Sequence, residues 1–471
     1  DRLRQDLGDN GEGVDARVEH AEATRFPDPL LTGVPVAHVL LPADVQAGVL
    51  LFAAVYRTAR LPVSQVGREN ALVGWVYAPF RTAVARLLRA AGYQVALYES
   101  GDHLLAAEKA ATMTDLAGVR AQQKKQNVPG ATKLLGVGMS SYFEMCGLAP
   151  SRVLASLNYS AGGWEAATVR VLPTNKVQVI TGTSPHGQGH ETSWAMIASE
   201  KLGVAPEDVD VLHSDTAISA LGLDTYGSRS LPVGGVAIAL ACDKVIEKAK
   251  LIAAHQLECA AEDLQFVGGT FSVKGSPDRA LPLAAIAFGA FTAHNLPEGC
   301  EPNLEAQVSY DPPNFSWPFG THMCVVEVDT ETGAVKILKY IAVDDCGNQI
   351  NPLIVEGQVH GGVVQGIAQA LFEEAVYDSD GNLKSSNLSE YLVPAASDVP
   401  AITTGHTITP SPTNQLGVKG VGEAGTIGAA PTVMTAIIDA LSTLGVTSMA
   451  MPASPQTVWK TIQEATRGGK K

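Results

Sequence analysis

The sequence predicts an α+β fold built from two related β-hairpin/helix units, with an irregular segment ahead of them. Three observations predict it. Ala167 to Leu172 and Lys176 to Gly182 alternate apolar and polar residues on either side of Pro173-Thr174-Asn175, as two strands joined by a turn do. They lead through a glycine-rich turn into a helical pattern that places Trp194, Ile197, Ala198 and Leu202 on one face and stops at Gly203. Much later Cys324 to Asp329 and Ala334 to Val343 repeat the hairpin around Thr330-Glu331-Thr332-Gly333 and lead to a second apolar helix with Val363, Ile367, Ala370 and Leu371.

The elements divide as follows. Residues 1–96 hold ten arginines and no lysine, whereas the remaining residues hold six arginines and seventeen lysines. That segment is atypical of the rest, either as an unusual domain, a truncated remnant, or a stretch read in the wrong frame of a G- and C-rich gene. Residues 97–300 form the first subdomain and 301–471 the second, with the break in the polar, proline-containing stretch from Asn295 to Pro313. With 46% hydrophobic residues and a mean hydropathy of +0.10, 471 residues suffice for two or three packed domains. The apolar run Ala47 to Tyr56 is too short to cross a bilayer, so no membrane span is expected.

Four glycine-rich segments are read as turns running into helices: His186 to Glu191, Tyr226 to Ser230, His360 to Gly366, and Lys419 to Gly425. Glycine lets backbone N–H groups approach a ligand, and the first N–H groups of a helix are unpaired at the positive end of its dipole. Four such junctions suit a long, multiply anionic small molecule. A net charge of −15 argues against nucleic acid as a partner, so any anion must be held by local N–H groups and a few placed cations. Six scattered cysteines with no C-x-x-C pair read as a reduced, cytoplasmic protein without its own iron–sulfur or structural zinc site. His186 and His190 are four apart, but Gly187 and Gly189 between them disfavour a helix that would bring both imidazoles to one metal.

These strings resemble the molybdenum-binding large subunit of the molybdenum hydroxylases, the family of xanthine dehydrogenase and aldehyde oxidase. The resemblance rests on Thr183 to Thr192, Leu223 to Ser230, Asp344-Asp345-Cys346-Gly347-Asn348-Gln349-Ile350-Asn351-Pro352, Glu356 to Gly362, and Gly417 to Gly428. It runs from about Leu97 to Val458, matches the C-terminal part of that subunit, and is nearest to the branch containing aerobic carbon monoxide dehydrogenases.

The resemblance implies a molybdenum–molybdopterin cytosine dinucleotide in which the metal is held through the pterin dithiolene, with no metal ligand from the protein. It implies iron–sulfur clusters on a small subunit and FAD on a medium subunit, the three assembled as a dimer of heterotrimers. Gly187, Gln188, Gly189 and His190 with Gly227, Ser228, Arg229 and Ser230 then become candidates for the pyrophosphate and pterin, Arg229 as a charged clamp. Gln365, read as lying at the start of its helix, offers an amide to the pterin edge. Lys419, Gly420 and Gly422 would lie nearest the metal, and Glu423 would be the base that takes a proton as water-derived oxygen is inserted into an electrophilic carbon. Read without the resemblance, Glu423 is a capping glutamate ahead of a helix around Pro431 to Leu441.

The chain also departs from the family. Its large subunit is longer, and the active-site loop A-Y-x-x-x-x-R has only a poor counterpart in Val55 to Arg60. Members that oxidise carbon monoxide hold copper through a cysteine in that loop, whereas no cysteine here precedes Cys146. The expectation is a hydroxylase subunit for aldehydes or aromatic N-heterocycles. The alternatives are a truncated, non-catalytic remnant, or a carbon monoxide dehydrogenase large subunit missing its copper loop.

Overall fold

The computed structural model describes residues 101–156, 158–218 and 222–468. The arginine-only segment 1–96 and the Val55 to Arg60 stretch lie outside the described residues. The described chain opens with helices α1 (His103–Thr114) and α2 (Leu116–Gln126), strand β1 (Lys133–Phe143) and a short α3 (Ser151–Ser156). The first hairpin follows as β2 (Glu165–Val171) and β3 (Val177–Thr181), then α4 (His190–Leu202) and β4 (Val209–Leu212). A π-helical turn at Ser230–Gly235 leads into α5 (Val236–Gln256). Next come β5 (Leu264–Val267), β6 (Thr270–Val273), β7 (Ser276–Pro282), α6 (Leu283–Thr292) and β8 (Leu304–Tyr310). The second hairpin is β9 (Phe319–Asp329) and β10 (Val335–Asp345), followed by α7 (Pro352–Leu371), β11 (Ile402–His406), α8 (Ala424–Leu441) and α9 (Pro455–Gly468).

Both expected hairpins form, and each feeds a helix. Val177 pairs with Val171 across the Pro173-Thr174-Asn175 turn, and Val335 with Val328 across the second turn. Asn351 caps α7 by accepting from the N–H groups of Leu353 and Ile354, and Pro352 suits the first helical position because its missing N–H would be unpaired there. Gly203 ends α4 in the left-handed conformation, as its position after the periodic apolar face leads one to expect.

The strands build three sheets, ordered β1-β9-β10-β11, β4-β3-β2-β8 and β5-β6-β7. In the first, period-two alternation divides β9 between two cores. Cys324, Val326 and Val328 face α7, α8 and α9, while Met323 and Val325 face Ala106 and Ala110 of α1. In the second sheet Val169, Val171, Val177 and Val179 pack against Trp194 and Ile197 of α4 and the apolar face of α5.

The division at residue 300 needs correction, because the sheets exchange strands across it. β1 belongs to the second hairpin's sheet, pairing with β9 along its whole length, and β8 belongs to the first hairpin's sheet through β2. Local patterning could not show this, since strand pairing across more than a hundred residues is set by which apolar faces meet.

The segment His360 to Gly366 is corrected as well. It lies inside α7, not at a turn, and Gln365 sits past the middle of that helix and not at its start. Its glycines serve packing. A side chain at Gly362 would meet Gly425 Cα at 2.9 Å, and one at Gly366 would meet Ala429 Cβ at 2.5 Å, so α7 and α8 touch almost backbone to backbone. On the opposite side Gly136 and Gly138 of β1 make the same room for the α8 backbone at Ala436 and Thr432. Hence α8 is apolar nearly all round. With the turn after it, it is the one stretch among the described residues long and apolar enough to cross a membrane, but it is wedged between a sheet and a helix.

Replacing Gly366 by Val should therefore force α7 away from α8 and lower unfolding stability by about 1–3 kcal/mol or more, as overpacking does. The midpoint of urea unfolding measures it. An unchanged midpoint would mean that this contact is loose.

Candidate active site

Three of the four glycine segments converge. The Gly227–Ser230 turn and the Lys419–Glu423 turn are locked to each other: the Ser228 hydroxyl accepts the Glu423 backbone N–H at 3.0 Å. The Cys146 thiol donates to the Ser228 carbonyl at 2.9 Å, and Gly147 N–H donates to Gly227 O at 3.3 Å, which ties in the chain leaving β1. A side chain at Gly420 would collide with the Ser228 backbone and the Cys146 sulfur, so only glycine allows this approach. Gly422, in contrast, has room beside Ser228.

The Gly187–Gly189 turn joins the group through Thr225, whose hydroxyl donates to Ser184 O at 2.7 Å and accepts from Ser230 at 2.9 Å. Gly187 and Gly189 both hold positive φ, at 101° and 71°. Gly189 stands at the N-cap of α4 with no side chain capping the helix, and a side chain at Gly187 would meet nothing within 4 Å. Gln188 is half-buried and folds back to accept the His186 N–H. His190 is buried in the first turn of α4 with its Nδ1 unpartnered, and burial lowers its pKa to about 4, so the imidazole is neutral near pH 7.

Two of the expected ligand-binding cations are committed elsewhere. The Arg229 guanidinium is fully buried, 2.7 Å from Glu165, and donates also to the carbonyls of Gly163, Trp164 and Asp224. It cannot clamp a phosphate from there; what remains available to a ligand is the backbone of its loop. Burial raises the Glu165 carboxyl, and the guanidinium acts against that shift. Lys419 is likewise buried, with its ammonium 3.1 Å from Asp345. Asp345 in turn accepts from Gly347 N, Thr409 N and the hydroxyls of Thr407 and Thr409, so the end of β10 anchors the loop that carries Glu423.

Glu423 stands at the N-cap of α8, but its carboxylate makes no capping hydrogen bond and the residue is exposed. Glu423 therefore stands at the helix start without capping it through its side chain. Gln365 is exposed on α7, in one row with Gly357 and Gly361, where added side chains would touch nothing. A cavity lined by His255, Glu258, Cys259 and Asn295 lies at the far end of α5, about 30 Å along that helix from the Gly227 turn, and takes no part in the site.

Sequence patterning missed two residues that the fold brings here. Glu144 follows β1, is 7% exposed, and has neither oxygen in hydrogen-bond geometry with a protein group, although Ser228 and Glu423 stand close enough to perturb it. The available signal was an acid directly after the mostly apolar run Leu134 to Phe143. Glu165, the partner of Arg229, was missed too, because nothing local marks a pair 64 residues apart.

A set of uncapped helix starts, an open glycine turn, and buried Glu144 carboxyl oxygens and a His190 Nδ1 without hydrogen-bond partners fit a large polar ligand with anionic and hydrogen-bonding groups. Comparison with known proteins names that ligand's class. The family model for the molybdopterin cofactor-binding domain matches residues 109–400. The carbon monoxide dehydrogenase large chain of Hydrogenophaga pseudoflava is 41% identical over 368 residues, covering 78% of this chain and 45% of that one. The nicotine 6-hydroxylase large subunit of Paenarthrobacter nicotinovorans is 34% identical, covering 78% and 44%. Among solved structures, Cu,Mo-CO dehydrogenase superposes with a TM-score of 0.74 at 37% identity over 78% of this chain and 46% of that one. Quinoline 2-oxidoreductase from Pseudomonas putida 86 gives 0.73 at 37% identity, over 77% and 46%. The chain belongs to the molybdenum hydroxylase family of molybdopterin-binding oxidoreductases, and it spans about half the length of the curated relatives it matches. A second family model, the CHASE domain, matches residues 17–106, nearly all outside the described residues.

Replacing Arg229 by Met should strand the Glu165 charge and cost about 3–5 kcal/mol of stability, the range for breaking a buried pair. Chemical denaturation checks this. A variant of full stability that had lost only bound ligand would instead mark Arg229 as a binding residue.

Proposed function

We propose that this chain supplies the pterin-binding turns and the catalytic base of a molybdenum hydroxylase large subunit acting on an aldehyde or an aromatic N-heterocycle. The observation that carries the reading is the Ser228–Glu423 contact, which holds an exposed, uncapped carboxylate where two glycine turns meet. When bound, the molybdenum cofactor supplies the two-electron oxidation and an oxygen derived from water. The protein's part is positioning and proton transfer. The unpaired N–H groups around Gly187 to His190 would take the pyrophosphate of a cytosine dinucleotide form, and the backbone of Gly227 to Ser230 the pterin. The amide of Gln365 would meet the pterin's polar edge. Gly420 lets the Glu423 loop close on Ser228, Gly422 leaves the space beside Glu423 free of a side chain, and the Glu423 carboxylate accepts the proton released as oxygen attacks the substrate carbon.

The electrons would leave through iron–sulfur clusters and FAD on two partner subunits, in keeping with the large chain and large subunit named among the relatives. Carbon monoxide is the less favoured substrate. Copper(I) needs a soft, available thiolate, whereas the Cys146 thiol beside Ser228 is fully buried, donates its proton to a carbonyl, and is pushed well up by burial. Stoichiometric copper in purified protein, with carbon monoxide-dependent dye reduction, would reverse that preference.

Glu423→Gln should leave molybdenum content unchanged, as metal analysis of purified protein reads it, while lowering turnover about 100-fold or more. Unaltered turnover would remove Glu423 from the role.

Gly189→Val should act on the cofactor before the fold. It forces a branched residue into a positive-φ position beside Ile354 at the mouth of the open turn, so molybdenum and released cytidine nucleotide should fall together while helicity persists. A fully metallated variant would show that this turn binds nothing.

A further inference from the structure

Strands β1 and β9 go on pairing past their ends, and this short extension carries three polar atoms without partners. Glu144 N–H donates to Pro318 O at 3.0 Å, and Cys146 and Ser316 exchange both backbone hydrogen bonds, at 3.0 and 3.1 Å. Phe143 opposite Phe319 and Cys146 opposite Ser316 keep one register, so Glu144 stands opposite Pro318 and diagonal to Ser316. Side chains along such a ladder alternate between its faces. Trp317 lies 5.8 Å from Phe143 and 5.9 Å from Phe315, ring centre to ring centre, which puts these three on one face and Glu144, Cys146 and Ser316 on the other. The second face meets the Gly227 turn. The Cys146 thiol donates to Ser228 O, and a side chain added at Gly147 would come no closer than 4.0 Å to Ser316 Oγ.

Glu144 is 7% exposed and Ser316 3%, and neither carboxyl oxygen nor the Ser316 hydroxyl has a hydrogen-bond partner. Buried polar groups are normally hydrogen-bonded, so three without partners on one ladder face mark a place for a polar ligand. The Arg229 and Lys419 charges face Glu165 and Asp345 instead. A buried carboxyl without a counter-charge takes up its proton, and burial pushes Glu144 up to about 8. The acid form presents a carbonyl acceptor and an O–H donor side by side. Its complement is a ring edge with an N–H next to a carbonyl or a bare ring nitrogen. An aldehyde offers one acceptor oxygen and leaves the acid's own carbonyl unpaired.

Resting on the reading of this chain as part of a hydroxylase, we propose that Glu144 and Ser316 form a recognition site for the N–H-bearing edge of an N-heterocyclic ligand and favour such rings over aldehydes. The Glu144 carbonyl accepts the ring N–H, its O–H donates to the neighbouring ring acceptor, and the Ser316 hydroxyl, able to donate or accept, takes the next polar atom of that edge.

Calorimetric titration of the purified full chain with 2-pyridone, which sets an N–H beside a carbonyl, tests the site. N-methyl-2-pyridone lacks that N–H and should bind about tenfold more weakly or worse. Glu144→Gln presents the same acceptor and donor as the acid and should keep 2-pyridone binding. Glu144→Met removes both and should weaken it about tenfold or more, and Ser316→Ala about threefold or more. Methionine keeps the length of the side chain and takes an unpartnered acid out of the interior, so the unfolding midpoint of Glu144→Met should hold or rise, and its lost binding is then not lost fold. Absence of 2-pyridone binding, equal affinity for the two pyridones, binding that Glu144→Met leaves unchanged, or the same loss in Glu144→Gln as in Glu144→Met each overturns the proposal. The titration needs neither molybdenum nor turnover. A chain that binds 2-pyridone through Glu144 but holds no molybdenum counts for the site and against the hydroxylase reading, and a molybdenum-loaded chain indifferent to the N–H does the reverse.

Discussion

The seating of α8 is the constraint on which the site depends. Its backbone rests on Gly136 and Gly138 of β1 on one side and on Gly362 and Gly366 of α7 on the other, closer than any side chain would allow. That double contact fixes where the helix begins, and the helix begins at Glu423. The Ser228–Glu423 hydrogen bond then ties the same point to the turn ahead of α5. A displacement of even 1 Å at a reacting group is enough to lose much of its effect, so a helix start clamped on three sides is a physical requirement of the chemistry proposed for it.

Around that clamp the fold uses charge for wiring. Arg229 with Glu165 and Lys419 with Asp345 are fully buried pairs, each surrounded by further hydrogen bonds from backbone or hydroxyl groups. Buried pairs add little net stability relative to apolar packing, but losing one partner is severe, so they hold the two turns to one geometry. Both side chains are thereby turned inward, so what these two turns offer a ligand is their backbone. Burial lowers the His190 imidazole and raises the Glu144 carboxyl, so in both it favours the uncharged form.

The second hairpin shows how a motif can serve the site from behind. Asp344 accepts from Tyr142 and contacts His322, whose other ring nitrogen meets Tyr340, all of them buried. Asp345 beside it anchors Lys419. The two acids at the end of β10 therefore join β1, β9 and the Glu423 loop, and neither reaches the ligand surface.

By itself the sequence determined the local elements and the chemistry they could carry. Period-two and period-3.6 patterns marked both hairpins, α4 and α7, and the glycine strings marked the turns at Gly187, Gly227 and Gly420, because these are properties of neighbouring residues. Tertiary structure alone decided which glycines line turns and which line helix contacts, since Gly187 and Gly362 read alike in a string but one faces open space and the other a backbone. It also decided that β1 and β8 cross between the two units, and that Arg229 and Lys419 point inward to acids distant in sequence. Glu144 was invisible as a site residue for the same reason. Cys146, two residues on, and Glu423 both contact Ser228, so the neighbourhood is assembled from three segments far apart in sequence.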